Sequence, residues 1–280
     1  MQQDFSGHTA IITGASMGVG AATARAFAER GANVVMIARG RDRLEAAARE
    51  LAETCAAGDR IMTEALDVSD QGALQAALDR IRARFGGIDI LVNNAGYHAR
   101  GPFETLTPEQ IRQMIEVNLT APLVATRLVL DDLKRSQRPA VINVASLAGR
   151  TPVPGSVVYS ATKFGLRAFG MALAEELHGS RIRIASVSPG PIDTAFIMDD
   201  IDSVSDLTFS QPIVTPEQVA AAIVRLVEGG PRDLTLPRIS GWLTTLTYLF
   251  PGLGRMMRPM LERRGRRTKA RIKRERSRQK

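Results

Sequence analysis

Residues 9–20 read TAIITGASMGVG. Thr9–Thr13 has the β-branched, apolar character of a short buried strand. A turn with glycines at 14, 18 and 20 follows, and a helical run from Val19 to Arg30 begins inside it. Each glycine has a distinct physical use. Gly14 permits a tight turn, Gly18 lets the backbone approach a pyrophosphate, and Gly20 lets the helix pack closely on the strand. The helix N-terminus then offers free N–H groups and positive dipole to phosphate. A glycine triplet alone arises by chance. Placed between a strand and a helix at the start of a βαβ unit, it predicts a nucleotide-phosphate site.

Working outward, strands and helices alternate. Asn33–Ala38 (NVVMIA), Arg60–Leu66, Ile88–Val92, Ala140–Val144, Arg181–Val187 and Asp233–Leu236 read as further strands. Helical periodicity covers Arg41–Ala57, with Gly58 as its C-cap, and Asp70–Phe85, opened by Ser69 or Asp70 and closed by Gly86-Gly87. It also covers a long helix from Thr107-Pro108 to Leu133, Val157–His178, and a helix from Thr215-Pro216 to Glu228. This order predicts an α/β fold: one doubly wound Rossmann-type domain with a parallel sheet of about seven strands flanked by helices. The boundaries are 1–237 for that domain and 238–280 for a C-terminal extension. Residues 195–214 show no period and read as a flexible loop.

The chain has 280 residues, and 44% of them are hydrophobic, enough for a sizeable core. Cys55 is the single cysteine, so no intrachain disulfide forms, and its plain reading is a helix residue. With three histidines and no carboxylate cluster, no metal site is expected. No signal peptide and no stretch of about 20 apolar residues is found, so a cytoplasmic protein without a membrane span is expected. The net charge of +8 is concentrated. Residues 261–280 hold 11 Lys/Arg and 2 Asp/Glu, while the rest of the chain nets −1.

Further motifs follow in order. Asp67-Val68 follows the third strand, Asn93-Asn94-Ala95-Gly96 the fourth, and Asn118 lies in the long helix. Ser146 ends the fifth strand, Tyr159-x-x-x-Lys163 lies on the next helix, and Pro189-Gly190 follows the sixth strand with Ile192 and Thr194 close behind. Together with the G-x-x-x-G-x-G turn, these motifs make residues 5–236 resemble the short-chain dehydrogenase/reductase family, in its ordinary non-extended branch. The resemblance implies an oxidoreductase acting on CH–OH groups. It also implies a nicotinamide dinucleotide lying against Gly14, Ser16, Met17, Gly18, Val19 and Gly20, with Asp67 and Val68 at the adenine. Asn94, Ala95 and Gly96 would line the cofactor, and Pro189, Gly190, Ile192 and Thr194 would hold the nicotinamide. It implies that Lys163 grips the nicotinamide ribose and that Asn118 holds a water completing a proton relay. It implies, too, a homodimer or homotetramer paired through helices near 107–133 and 156–178.

Tyr159 and Lys163 are one helical turn apart and share a face. A free tyrosine titrates near ~10, and an ammonium beside it favours the phenolate. That pairing would tune Tyr159 as the general acid/base, with Ser146 orienting the substrate oxygen. A lone Tyr-x-x-x-Lys is common on helix surfaces; Ser146 and Asn118 lift it above coincidence. His98, following the Asn-Asn-Ala-Gly segment, reads either as facing the substrate or, more plainly, as a loop residue at the cleft rim, and His8 and His178 read as partly exposed.

The end of the second strand sets the cofactor. NAD-dependent relatives place an acid there to bind the ribose hydroxyls, and a carboxylate repels a 2′-phosphate. This chain has Ala38 and then Arg39, whose guanidinium can take phosphate oxygens. NADP(H) is therefore expected, with Ser16 adding a hydrogen bond. Arg41 and Arg43 add charge or simply face solvent.

The expected reaction interconverts a ketone or aldehyde and an alcohol, with a small-molecule carbonyl/alcohol substrate. Phe196, Ile197, Met198, Ile201, Leu207 and Phe209, with Tyr97 and Val153, would shape a pocket for a hydrophobic substrate, or would merely cover the nicotinamide. The rival reading is a nucleotide-binding regulatory protein of the same fold. Ile239–Phe250 (ISGWLTTLTYLF) is apolar but too short to span a bilayer. After the Pro251-Gly252 break, Leu253, Met256, Met257, Met260 and Leu261 recur at helical spacing before the basic tail. Two readings remain. Either the segment lies on an anionic membrane, or it packs on the body as a lid with a solvated tail. Nucleic-acid contact through the tail is a third option, although the tail lacks interleaved aromatics.

Overall fold

A computed structural model describes residues 4–198 and 201–277. Seven parallel strands form one sheet in the order β3-β2-β1-β4-β5-β6-β7. They are β1 (Thr9–Thr13), β2 (Asn33–Ala38), β3 (Ile61–Ala65), β4 (Ile90–Asn93), β5 (Ala140–Val144), β6 (Arg183–Pro189) and β7 (Asp233–Leu236). Strands β1 and β5 are buried along their whole length, as a sheet covered on both faces requires. Helices α1 (Gly18–Ala28), α2 (Arg41–Thr54) and α8 (Pro216–Glu228) belong to one face. Helices α3 (Gln71–Phe85), α5 (Ala121–Arg135) and α6 (Val157–Glu176) cover the other. The order reverses between β1 and β4, so the loops leaving these two strands diverge and open a crevice at their carboxyl ends.

Several helix ends follow from local chemistry. Asp70 caps α3 by accepting from the Ala73 N–H at 2.9 Å, and Gly86 closes it with φ +81°. Thr107 and Thr215 each form a capping box with a glutamine three residues on. The C-terminus of α2 differs from expectation. Ala56, with φ +47°, takes the left-handed position, Ala57 N–H bonds Ala52 O, and Gly58 opens a short 3₁₀ turn instead of capping the helix. Several strand and helix ends lie one to three residues from the expected ones, as fraying ends do.

The long helix is not continuous. Helix α4 (Pro108–Ile115) passes into a π-helical turn, Glu116–Thr120, before α5. Pro122 lacks the N–H that would bond the carbonyl of Asn118, and Ala121 N–H reaches back five residues to Glu116 O. The 195–214 segment is also more ordered than its sequence suggests. It holds a short helix α7 (Ala195–Met198) and a 3₁₀ turn at Thr208–Ser210.

The extension forms α9 (Arg238–Leu249) and α10 (Pro251–Ser277), broken at Phe250 with Pro251 opening the second helix. It packs on the body. Gly241 sits against Thr235 on β7, and Gly265 lets α10 approach the backbone of Asp206. Among the described residues no helix is long and apolar enough to cross a membrane.

Asp233 ties β7 to the site-bearing elements. Arg150 and Arg167 both donate to its Oδ2, at 2.7 and 2.6 Å. Burial alone would raise this carboxyl, but the hydrogen bonds from Arg167 and Arg150 and their charges hold it below the usual range. The stabilisation is therefore present above the ordinary carboxylate pKa and is lost as pH falls through the depressed one. Asp233→Ala strands two partly buried guanidinium groups and is expected to cost about 2–3 kcal/mol. Urea melts at pH 7 and pH 3 check this: the variant should lose stability at pH 7, and the gap should shrink at pH 3.

Candidate active site

A cleft of about 1550 Å³ opens at the carboxyl ends of the strands. One small ligand commonly occupies about 300–1,000 Å³, so this cleft has room for a dinucleotide and a second reactant. Every cofactor and catalytic residue expected from the sequence lines it except Gly20 and Asn118. Gly20 lies beneath the turn, where a Cβ would overlap the Gly14 carbonyl oxygen. Asn118 is fully buried behind the wall.

The glycine turn is built as a phosphate cradle. Gly14 and Gly18 have φ of +68° and +55°. A Cβ at Gly14 would stand 2.9 Å from Ala95 Cα. No side chain caps α1, whose first N–H groups are left for a ligand. The β4 loop is bolted to this turn. Asn94 Nδ2 donates to Thr13 O and Gly14 O at 2.8 and 3.2 Å, and the Asn94 and Ala95 N–H groups both donate to Thr13 Oγ1 at 3.0 Å. Thr194 closes the far side, its methyl 3.1 Å from where a Cβ at Gly18 would lie. These features fit a dinucleotide pyrophosphate.

At the adenosine end Arg39 and Arg43 line the cleft and Arg41 does not. Arg39 is exposed, 3.9 Å from Asp67, and Arg43 Nη1 reaches Met17 Sδ at 3.3 Å. Arg41 pairs instead with Glu45 along its own helix. Asp67 accepts from the Ser69 N–H and Oγ–H at 2.9 and 2.6 Å, which fixes the carboxylate at the cleft edge.

Ser146 follows β5, and Tyr159 sits in the first turn of α6. They meet because Gly149 lets α6 come close: a Cβ there would lie 2.6 Å from Lys163 O. Ser146 and Tyr159 both line the cleft, and the Ser146 Oγ accepts from the Ala148 N–H at 3.1 Å, which fixes the serine side chain there. Burial pushes the Tyr159 phenol up to about 12, against the opposing pull of Ser146 and the Arg100 charge. Lys163 was expected to be the residue tuning Tyr159. Its Nζ instead donates to Val144 O at 2.8 Å and lies 5.7 Å from the centre of the tyrosine ring. Burial brings the Lys163 ammonium down to about 8.

Asn118 acts through the backbone of the neighbouring loop. Its side-chain amide donates to Tyr97 O and accepts from the Tyr97 N–H, both at 2.7 Å, and donates to Thr162 Oγ1 at 3.3 Å. Both ends of the amide are thus occupied by protein. Tyr97 is anchored in this way and does not line the cleft, contrary to expectation, whereas Val153 does.

Two residues gain importance over the sequence reading. His98 lines the cleft, and its ring stacks on Tyr159 at 4.1 Å and 13°. Burial, then Arg100 and Lys163, push its pKa down to about 3, so it is a neutral wall against the phenol. Arg100 lines the same end of the cleft. The place of His98 after the Asn-Asn-Ala-Gly segment points toward the cleft, but no sequence pattern marks its stack on Tyr159 or the position of Arg100.

The apolar loop mostly faces inward. Met198, Val204 and Phe209 are buried in a small cluster with Ile197, Ile201, Ile213 and Ile272 of α10. Ile197, Val204 and Leu207 also reach the cleft, and Phe209 does not. The Phe196 side chain lies outside the described residues. The extension supplies a further wall, including Leu243, Thr247, Arg255 and Leu261.

The short chain dehydrogenase family model matches residues 8–203. Cis-4-hydroxycyclohexanecarboxylate dehydrogenase of Sinomonas cyclohexanicum is 35% identical over 233 residues, covering 81% of this chain and 91% of its own. A metagenomic short-chain oxidoreductase solved with NADP superposes with a TM-score of 0.69 at 32% identity, covering 84% of this chain and 98% of that one. L-sorbose reductase of Gluconobacter frateurii, solved with NADPH and L-sorbose, gives 0.73 at 28% identity over 84% and 97%. The chain belongs to the short-chain dehydrogenase/reductase family.

Proposed function

We propose that the protein is an NADP(H)-dependent reductase of ketones or aldehydes, working reversibly, with Tyr159 as its proton donor. The observation that carries this reading is the convergence of Ser146, Tyr159 and Lys163 on one glycine-cradled cleft, with Lys163 anchored on Val144 O and the Tyr159 ring held against His98. The dinucleotide, when bound, supplies the hydride to the carbonyl carbon. The phenol supplies the proton to the oxygen. A phenol is protonated at neutral pH, so Tyr159 can give its proton as the carbonyl is reduced and take it back in the reverse direction. The Ser146 hydroxyl donates to the same substrate oxygen and orients it. Lys163, held on Val144 O, sets a positive charge beside the ribose position. His98 excludes water from one face of the phenol ring.

The substrate reading is a carbonyl compound with an apolar body, met by Ile197, Leu207, Leu243 and Leu261 along the cleft. The oligomer implied by the family would use the outer faces of α4 and α6, where Ile115, Val157 and Met171 are exposed.

Tyr159→Phe is expected to lower kcat for ketone reduction by roughly 10²–10⁴-fold while NADPH binding persists. Turnover with a ketone panel, beside a fluorescence titration of NADPH, checks it. Near-normal turnover by the folded variant would remove Tyr159 from the mechanism.

The cofactor preference rests on Ala38 and Arg39. Losing a charge-assisted hydrogen bond costs roughly 1.5–3 kcal/mol, about tenfold or more in affinity. Arg39→Ala should therefore weaken NADPH far more than NADH, and Ala38→Asp should reverse the preference. Comparing kcat/KM for both cofactors decides; equal losses would leave Arg39 without a phosphate role.

A further inference from the structure

Helices α9 and α10 each show two unlike faces. On α9, Leu243, Thr244 and Thr247 line the cleft. On its other side Ile239, Trp242, Leu246 and Leu249 are exposed, Trp242 to 82% and Ile239 to 74%. At 100° per residue these four fall within about 80° of one another, a continuous apolar stripe. Phe250, just past the helix, extends it.

Helix α10 is oriented by its inner face. Ile272 joins the buried cluster beneath it, and Gly265 rests on Asp206. Lys269 donates to Val204 O at 2.8 Å, Lys273 pairs with Asp202 at 2.5 Å and Arg266 with Asp206 at 3.2 Å. With that side engaged, Met256, Met260, Arg263, Arg267 and Arg274 share the opposite side, within about 60°. All five are exposed. Arg263, Arg267 and Arg274 make no ion pair among the described residues. Helix α9 thus turns an aromatic and aliphatic stripe outward, and the adjoining α10 a row of methionines and arginines that make no ion pair among the described residues.

We propose that this surface docks the enzyme on an anionic lipid bilayer, with the α9 stripe entering the headgroup boundary and α10 lying along the phosphates. Large exposed apolar side chains next to basic ones match the chemistry of a charged interface. A second copy of the chain fits less well, because an isologous contact would bring two basic helices together. A nucleic acid would satisfy the arginines but leave the α9 stripe without a partner. The proposal is independent of the catalytic reading, since docking needs no turnover.

Trp242 is the single tryptophan of the chain, so its emission reports on the stripe alone. The full-length protein is mixed at low salt with vesicles of phosphatidylcholine, with or without phosphatidylglycerol, then sedimented. Binding to the anionic vesicles only, falling with salt, with a blue shift of Trp242, is expected. Each basic residue near such a surface contributes roughly fivefold, so Arg263→Ala/Arg267→Ala/Arg274→Ala should weaken partitioning about 100-fold. Trp242→Ser/Leu246→Ser should also abolish sedimentation, with circular dichroism unchanged. No sedimentation with anionic vesicles overturns the proposal, as does binding that both variants retain. So does a dimer, seen without vesicles, that Trp242→Ser disrupts, because the stripe then seats a second copy. Capture of a duplex oligonucleotide in place of vesicles overturns it as well.

Discussion

The hydroxyl of Thr13 joins the two halves of the sheet where the cleft opens. It donates to Val92 O at 3.3 Å and accepts from the N–H groups of Asn94 and Ala95. The residue is 4% exposed, so these bonds form away from water, where an unmade partner is costly. Strand order reverses at this point, and the β1 and β4 loops diverge from it to open the crevice. Thr13 and the Asn94 amide tie the starts of the two loops to each other. The glycine turn, the 94–98 segment, His98 and, through the stack, Tyr159 take their places from that clamp. Asn118 secures the same segment from behind by gripping both backbone groups of Tyr97.

Much of this was legible from residue order. The glycines at 14, 18 and 20 announced the turn because backbone freedom and close approach leave few alternatives to glycine. Strand positions followed from β-branched runs, and Tyr159, Lys163 and Ser146 from spacing on a helix and at a strand end. Other features were hidden for physical reasons. The π-turn at Glu116–Thr120 depends on Pro122, but a proline one residue inside a helical period also reads as an ordinary N-terminal position. His98 lies in a loop without periodicity, so nothing local fixes its direction; its stack on Tyr159 is a tertiary contact. The loop at 195–214 looked apolar for a substrate, yet Ile272 of α10 covers part of it, a contact spanning some seventy residues that no window could see.

Burial decides the electrostatics of the site. Proximity of an ammonium would lower a phenol's pKa, and that was the natural reading of Tyr159 and Lys163. In the fold, burial raises the Tyr159 phenol against the opposing pull of Ser146 and the Arg100 charge, and burial also lowers the Lys163 ammonium. The Val144 carbonyl, at the end of a fully buried strand, is what Lys163 holds. The Tyr159 phenol thus lies against a neutral imidazole, with the Lys163 ammonium 5.7 Å from the centre of its ring. The His98 stack covers one face of the phenol ring, while the residue still lines the cleft.

The account stands on direct transfer between a dinucleotide in this cleft and a carbonyl carbon beside Tyr159. Deuterium placed at C4 of the reduced nicotinamide follows that transfer without assumptions about rate. With NADPH labelled on each face in turn and a panel of prochiral ketones, one face should deliver one deuterium to the carbinol carbon of the product, giving a single alcohol enantiomer. Retention of the label in the dinucleotide with every ketone, or its loss to solvent, would contradict the account.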